Sequence, residues 1–70
     1  MEFGKYFKMY RKQAGLTQTE VAEKLHIKQS NISDWEKNIS RPCYEYLIEL
    51  AKIYDVSLYD LLGLDEATFR

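Results

Sequence analysis

The sequence predicts an all-α domain built from five short helices. Apolar residues recur every three or four positions in five separate segments, which is the spacing of one helix face. Two capping boxes, at Thr17 and Ser57, mark helix starts, and no alternating apolar run is long enough for a strand. A chain of 70 residues has room for a single domain, expected over 1–70 with its core at about 3–62 and a short tail at 63–70.

The first helix is predicted to end near Gly15, a residue type suited to helix termination. Its apolar face consists of residues at helical spacing, Phe3, Tyr6, Phe7, Tyr10 and Ala14. The second helix is predicted to begin at 17 or 18, because the Thr17 hydroxyl takes the amide of Glu20 while the Glu20 carboxylate reaches back. Its apolar stripe is formed by Val21, Ala22 and Leu25.

A turn of three or four residues, which includes the apolar Ile27, leads into a third helix predicted from about 28 to 37. Ile32 and Trp35 give this helix its apolar stripe. Asn38 suits the left-handed conformation that ends a helix.

The fourth helix is predicted to start at Pro42, since proline is favoured in the first turn. Its apolar face is expected to contain Tyr44, Leu47, Ile48, Ala51 and Tyr54. Ser57 opens a fifth helix through the box Ser-Leu-Tyr-Asp, and Gly63 stops it. Its inward residues are expected to be Leu58, Leu61 and Leu62.

Composition is that of a globular protein, with 46% hydrophobic and 30% charged residues. No segment approaches the roughly 18 uninterrupted apolar residues of a membrane span, and the charged start lacks the apolar stretch of a secretion signal. The only cysteine, Cys43, excludes an internal disulfide and fits a reducing compartment. We therefore expect a cytoplasmic location and no membrane partner.

Charge is unevenly distributed along the chain, although the net charge is only -1. Residues 1–42 carry eight basic and five acidic side chains, whereas residues 43–70 carry two basic and six acidic ones. Such a chain is able to meet an anionic partner with its N-terminal part alone. Chance also produces splits of this size, so the distribution permits a nucleic-acid partner without requiring one.

Metal, cofactor and enzymatic chemistry are poorly supported by the residue inventory. His26 is the only histidine and Cys43 the only thiol, so no cluster of three or four His and Cys ligands is available for zinc. No Gly-rich phosphate loop exists, and the acidic residues near the C-terminus fit a solvated face. The sequence predicts no enzyme activity, no cofactor and no small-molecule ligand.

The stretch Lys28-Gln29-Ser30-Asn31 puts four polar side chains at the front of the third helix, where no core needs them. Two helices joined by a short turn cross steeply, and the N-terminus of the second projects from the globule. There it is able to enter a DNA major groove, with base contacts expected from Lys28, Gln29, Ser30 and Asp34. A solvated surface explains any one of these residues equally well, and only their joint arrangement favours DNA.

The N-terminus of the second helix points to the same partner. At Thr17 and Gln18 it is expected to offer free amides and the positive end of the helix dipole to a phosphate.

The stretch from Gly15 to Pro42 resembles the phage repressor and Cro-type helix-turn-helix family, also called the xenobiotic-response-element family. The matching elements are Leu16-Thr17-Gln18, Val21-Ala22, Leu25, Ile27, Ile32 and Trp35-Glu36. The similarity extends over about 4–62, through Arg11, Pro42, Ala51 and Val56-Ser57-Leu58. It implies a compact five-helix domain of the lambda-repressor-like type, with the helix-turn-helix formed by helices 2 and 3.

Two positions depart from the family pattern. His26 stands where glycine is usual in the turn, and Lys28 stands where a small capping residue usually precedes the recognition helix. Histidine tolerates positive φ better than most residues, so the turn is expected to form at some cost. Without the cap, the first turn of the third helix is expected to be less well defined.

The resemblance also implies roles for individual residues. Gln18 is expected to touch a phosphate and to brace Gln29, which faces bases together with Lys28, Ser30 and Asp34. Arg11 and Glu36 are expected to form an ion pair that ties the first helix to the third, the alternative being two independent surface charges. Contacts to the DNA backbone, which position without reading sequence, are implied for Asn31, Lys37, Asn38, Ser40 and Arg41.

The resulting expectation is a sequence-specific regulator of transcription that binds double-stranded DNA, acts as a repressor, and dimerises on a palindromic operator. A homodimer is expected because one recognition helix reads only about 4 to 5 base pairs. Its apolar contact surface is predicted to include Tyr54, Val56, Leu58, Tyr59, Leu64 and Phe69. The alternative is a protein-interaction module, such as an antitoxin component, that uses the acidic C-terminal third as its contact surface.

Overall fold

The computed structural model describes residues 2–64, which form five α-helices and no strand. The helices are α1 (Gly4–Gln13), α2 (Gln18–Leu25), α3 (Gln29–Glu36), α4 (Tyr44–Tyr54) and α5 (Leu58–Leu61). The predicted fold class and order of elements are confirmed. None of the helices in this part of the chain is long and apolar enough to cross a membrane.

The core receives side chains from all five helices. At its centre lie four fully buried residues, each from a different helix: Val21, Ile32, Leu50 and Leu61. Around them, within residues 2–64, pack Phe7, Ala22, Leu25, Trp35, Ala51 and Tyr54. Burying a large apolar side chain contributes about 1.5 to 3 kcal/mol, so these contacts hold the short helices together. The α2–α3 pair packs closely, and α1 lies against α3, α4 and α5.

The turn between α2 and α3 contains both positions that depart from the family pattern. His26 adopts the left-handed conformation, with φ 58° and ψ 42°, and ends α2. Ile27 follows and donates its amide to the Ala22 carbonyl at 3.0 Å. Lys28 is extended, with φ -81° and ψ 145°, and its side chain makes no capping hydrogen bond. The helix nevertheless begins at the next residue, and the Asn31 amide donates to the Lys28 carbonyl at 3.0 Å.

The N-terminus of α1 lies directly on the C-terminal end of α3. A Cβ atom at Gly4 would stand 2.3 Å from the Glu36 carbonyl oxygen, which only a residue without a side chain avoids. The Gly4 amide donates to Asn38 Oδ1 at 2.9 Å. Asn38 has φ 63°, the left-handed conformation expected of it, and this turn brings its side chain under α1.

The α4 helix differs from its prediction at its start and on its inner face. It begins at Tyr44 with Cys43 as the preceding cap residue, two positions after Pro42. Leu50 was not predicted on the inner face of α4 but is buried there. Tyr44 was predicted on that face but lies in the first turn and is 72% exposed. Residues 47, 50, 51 and 54 satisfy the i, i+3, i+4, i+7 spacing, whereas Tyr44 stands at the helix end, away from the core.

Two further inward assignments were wrong. Leu58 was expected in the core of α5 but is 38% exposed, while Leu61 is fully buried. Ala14 was expected on the buried face of α1, but α1 ends at Gln13 and Gly15 turns the chain away with φ 75°. Ala14 is therefore exposed.

The close approach at Gly4 makes a testable prediction. Gly4→Ala should lower the free energy of unfolding by about 1 to 3 kcal/mol, because the new methyl group overpacks backbone atoms that cannot swing aside. Lys8→Ala, at an exposed position of the same helix, should change it little. Urea denaturation of the wild type, Gly4→Ala and Lys8→Ala measures the three free energies of unfolding. An equal stability of Gly4→Ala and wild type would show that α1 and α3 are farther apart than described.

Candidate nucleic-acid interface

The first turn of α3 presents polar side chains to solvent. Lys28, Gln29, Ser30 and Asn31 are all exposed, and the first core residue of the helix is Ile32. Asp34, one turn after Ser30, is partly exposed. The front of α3 is thus free of core contacts, while its remaining turns are anchored through Ile32 and Trp35.

The capping box predicted at the start of α2 is confirmed. The capping box is complete: Thr17 Oγ1 accepts from the Glu20 amide at 3.1 Å, and the Thr17 amide donates to Glu20 Oε1 at 3.0 Å. The hydrogen bond from the Thr17 amide lowers the pKa of Glu20 and keeps this carboxylate charged. The amides left for an anion are those of Gln18 and Thr19. The Thr17 hydroxyl keeps its own hydrogen as a possible donor.

A buried ion pair connects α1 to the end of α3. Arg11 Nε lies 2.6 Å from Glu36 Oε2, and Arg11 Nη2 donates to Glu36 Oε1 at 3.0 Å. The third guanidinium nitrogen, Nη1, donates to the Leu16 carbonyl at 2.9 Å, so the linker between α1 and α2 is held as well. The two side chains are 9% and 3% exposed. The hydrogen bond to Glu36 raises the pKa of Arg11 above its usual value.

Gln18 and Gln29 continue this network to the protein surface. Gln18 Nε2 donates to Glu36 Oε1 at 3.0 Å. Gln18 Oε1 accepts in turn from Gln29 Nε2 at 2.5 Å. The side chain at the front of α3 is therefore connected through Gln18 to a buried charge.

The segment after α3 adds several exposed polar groups. Lys37, Asn38, Ser40 and Arg41 are all exposed, and the last three border one surface cavity together with Glu2 and Phe3. Asn38 has a structural contact as well, because its Oδ1 accepts from the Gly4 amide. The sequence analysis did not identify two contacts that position α3 and the start of α2: those of Gly4 with the end of α3, and the bond from Arg11 to the Leu16 carbonyl. A glycine opening a helix is the one local sign that a close approach occurs there.

Tyr54 does not belong to the apolar surface on which it was placed. It is 5% exposed, and its hydroxyl has no hydrogen-bond partner among residues 2–64. Burial raises the pKa of this hydroxyl, with a further contribution from the charge of Glu36. The last turn of α4 points inward at position 54 because it continues the face of Leu50 and Ala51.

The other residues of the predicted dimer surface that the structure describes lie at or near the protein surface. Leu58 is 38% and Tyr59 51% exposed, and both line a shallow groove with Leu62 and Leu64. Val56 is half-buried against the core. Phe69 lies outside the described residues.

The short turn between α2 and α3 and the polar, exposed front of α3 are the arrangement of a helix-turn-helix domain. Comparison with known proteins agrees: residues 7–61 match the helix-turn-helix family. The chain belongs to this family, of the phage repressor and Cro type, the kind of DNA-binding domain found in transcriptional regulators.

Several curated relatives are similar over nearly the whole chain. The chain is 43% identical over 68 residues to the HTH-type transcriptional regulator ImmR of Bacillus subtilis (strain 168), covering 97% of this chain and 54% of ImmR. It is 33% identical over 66 residues to the HTH-type transcriptional regulator SinR of Bacillus licheniformis, which covers 93% of this chain and 60% of SinR. The HTH-type transcriptional activator BcrR of Enterococcus faecalis is 33% identical to this chain over 66 residues, which cover 94% of this chain and 32% of BcrR.

The chain spans between about half and two thirds of ImmR and SinR and a smaller share of BcrR. The similarity therefore covers the helix-turn-helix portion that these regulators share with it.

The buried pair predicts the effect of two substitutions. Arg11→Met and Glu36→Gln should each lower the free energy of unfolding by about 3 to 5 kcal/mol, since each leaves the partner charge buried without compensation. Lys52→Met is the matched control, because Lys52 and Glu49 form an exposed pair at 3.6 Å worth about 0.5 kcal/mol or less. Losses for Arg11→Met and Glu36→Gln as small as that of the control, in urea unfolding, would refute a structural role for the pair.

Proposed function

We propose that the chain binds double-stranded DNA in a sequence-specific manner, with the N-terminal turn of α3 in the major groove. The observation that carries this proposal is the exposed front of α3, whose Gln29 is held in place by Gln18. A polar side chain on an exposed turn usually samples several rotamers, and ordering one in advance lowers the entropy lost on binding. Such ordering suits a side chain that reads a base.

Four residues are proposed to face base edges. Gln29 matches adenine, whose N6 donates and N7 accepts, and Lys28 is able to reach guanine O6 and N7 or a phosphate. Ser30 is a short donor and acceptor that suits several bases. Asp34 is proposed to accept from cytosine N4, and its partial exposure leaves its carboxylate within reach of a ligand.

Backbone contacts are proposed on both sides of this turn. Gln18 and Thr17 stand at the start of α2, where two free amides and the helix dipole favour a phosphate. Glu20 opposes this attraction, because its carboxylate lies beside the Thr17 amide. The remaining proposed contacts come from exposed residues of α3 and the segment after it: Asn31, Lys37, Asn38, Ser40 and Arg41.

We further propose that the domain works as a homodimer on a palindromic operator. Two copies present two α3 helices to major-groove segments about 34 Å apart, which lengthens the site read. The groove of Leu58, Tyr59, Leu62 and Leu64 is the proposed contact, with Val56 at its border and Phe69 as a further candidate.

Transcriptional repression is the proposed outcome, because a bound dimer excludes other proteins from the DNA it covers. Occupancy of the DNA alone suffices for repression, so no enzymatic step or cofactor is proposed.

The relative BcrR is named a transcriptional activator, so a similar domain also occurs in a protein of the opposite effect. The function requires a compartment that holds DNA, for which we propose the cytoplasm.

Two variants should distinguish a residue that reads bases, Gln29, from a residue that binds the DNA backbone, Arg41. Gln29→Ala should cost about 1 to 3 kcal/mol on the preferred duplex and relax one base position, because the substitution removes a bidentate amide. Arg41→Ala should weaken all sequences alike and lower the slope of log affinity against log salt by about one unit. Fluorescence anisotropy on preferred and scrambled duplexes, across a salt series, measures both.

Two results would contradict this assignment. Equal losses of Gln29→Ala on both duplexes would show that Gln29 reads no base. Wild-type affinity for duplex DNA that hardly falls as salt rises would favour the alternative of a protein-interaction module, since phosphate contacts release counterions.

The dimer proposal has its own test. Leu58→Glu should weaken self-association at least about tenfold, because a carboxylate would be buried against an apolar partner surface. Met9→Glu is the matched control, a charge placed on another exposed hydrophobic side chain, 46% exposed in α1. Sedimentation equilibrium with a duplex of two half-sites reports both. A wild type that remains monomeric on that duplex, or a Leu58→Glu chain that dimerises normally, would move or remove the interface.

A further inference from the structure

Ile39 is a large apolar side chain that lies between polar neighbours at the proposed DNA-binding surface. It is 68% exposed. The other members of its segment are the polar residues proposed to contact the DNA backbone: Lys37, Asn38, Ser40 and Arg41. Single exposed apolar residues are common on protein surfaces, so exposure alone gives Ile39 no role. A role for Ile39 must come from how it is held and what surrounds it.

The backbone at Ile39 is fixed by the hydrogen bonds that end α3. Its amide donates to the Asp34 carbonyl at 2.9 Å, and the Asn38 amide donates to the Trp35 carbonyl at 3.3 Å. With Asn38 at φ 63°, these bonds form a Schellman motif. The Gly4 amide also holds Asn38, through a hydrogen bond to Oδ1 at 2.9 Å. Ile39 therefore projects from a turn that is held at several points.

The positions on α3 that usually supply an apolar partner for such a side chain are polar here. In a Schellman motif the residue at the position of Ile39 commonly packs on an apolar side chain near the end of the helix, where this chain has Ser33 and Asp34. Ile39 accordingly stays mostly exposed, and the next buried residue along the chain is Pro42. The side chain is thus held in place while most of its surface faces solvent.

Ile39 and Asp34 are neighbours through their backbones, so the apolar side chain stands beside a proposed base-reading residue. We propose that Ile39 contacts the 5-methyl group of a thymine in the major groove and makes the domain prefer thymine at that position. This inference rests on the proposed function, in which α3 enters the major groove. It adds an apolar contact to the hydrogen-bonding residues at the front of the helix.

Thymine is the base that an apolar side chain distinguishes in the major groove. Its 5-methyl group is an apolar substituent, whereas the groups that identify the other bases there donate or accept hydrogen bonds. Contact with the methyl group removes apolar surface of both partners from water. The entropy lost by Ile39 is small, because its backbone is already fixed and a β-branched side chain is stiff at χ1.

Replacing thymine by deoxyuracil tests the contact with the smallest change in the DNA. Uracil lacks the methyl group and keeps every hydrogen-bonding group of thymine. Fluorescence anisotropy is measured on a duplex selected from a random library, in which each thymine is replaced in turn. At one thymine of the site, or at one in each half-site, wild-type affinity should fall about 2- to 5-fold, the range expected when one methyl group leaves a buried contact.

Ile39→Ala should abolish the effect of that uracil substitution, because the side chain that meets the methyl group is gone. Met9→Ala is the matched control, since Met9 is another exposed apolar residue, 46% exposed in α1, and should keep the wild-type sensitivity to uracil. Each chain is compared through its ratio of affinities for the thymine and uracil duplexes, so any effect of uracil on the duplex itself cancels. Urea unfolding should show both variants close to the wild type in stability, because both positions are exposed.

Two further measurements separate a base contact from other roles of Ile39. The slope of log affinity against log salt should be the same in Ile39→Ala and the wild type, because no charge is removed. In the complex, NMR should show a nuclear Overhauser effect between an Ile39 methyl group and the 5-methyl group of the thymine identified by the uracil series.

The outcomes distinguish this inference from the proposed function. A sequence-selective wild type that is insensitive to uracil at every position, or a selected site without thymine, would overturn the role of Ile39 alone. The same holds if the uracil effect persists in Ile39→Ala, including the case in which this variant loses affinity equally for both duplexes, as a contact with a sugar would produce. A wild type that binds all duplexes alike would overturn the proposed function and this inference with it.

Discussion

The buried pair of Arg11 and Glu36 is the interaction on which the arrangement of the helices depends. The Glu36 carboxylate meets Arg11 near the end of α1, while the Glu36 backbone meets Gly4 at the start of the same helix. One residue of α3 is thus held at two points of α1, two helical turns apart. The pair is nearly inaccessible to water. If Arg11 and Glu36 were separated, both charges would therefore remain without water contacts unless the core opened.

This constraint also sets how the exposed front of α3 is presented. Core contacts of Ile32 and Trp35 fix the depth of the helix, and the Glu36 contacts fix its C-terminal end. The N-terminal turn is then held by Gln18, whose own orientation depends on Glu36. The Tyr54 hydroxyl is buried without a partner among residues 2–64, and such a group costs about 1 to 3 kcal/mol.

Much of the fold was predictable because local signals agreed with one another. The capping residues Thr17 and Ser57 and the left-handed Asn38 act through nearby backbone groups, so their spacing alone located the helix ends. Inner faces were less predictable where a helix ends: Tyr44 and Leu58 have helical spacing but are exposed, because no neighbouring helix covers them. Tyr54 is buried on the inner face predicted for it, and its burial disagrees only with its second assignment, to the dimer surface. The contacts of Gly4 are with Glu36 and Asn38, which are distant in sequence, so no local pattern reveals them. The Leu16 carbonyl accepts from a residue only five positions away, Arg11, but no capping or helix pattern marks that bond.

The most direct measurement is an NMR titration of the chain with its preferred duplex, following every backbone and side-chain amide. If the front of α3 enters the groove, the largest shift changes should occur at Gln18, at residues 28–31 and at residues 37–41. The amides of the core should move little, since the buried pair keeps the helices in place. Unchanged resonances at residues 28–31 while other parts of the chain shift, or no changes with duplex at all, would contradict the account.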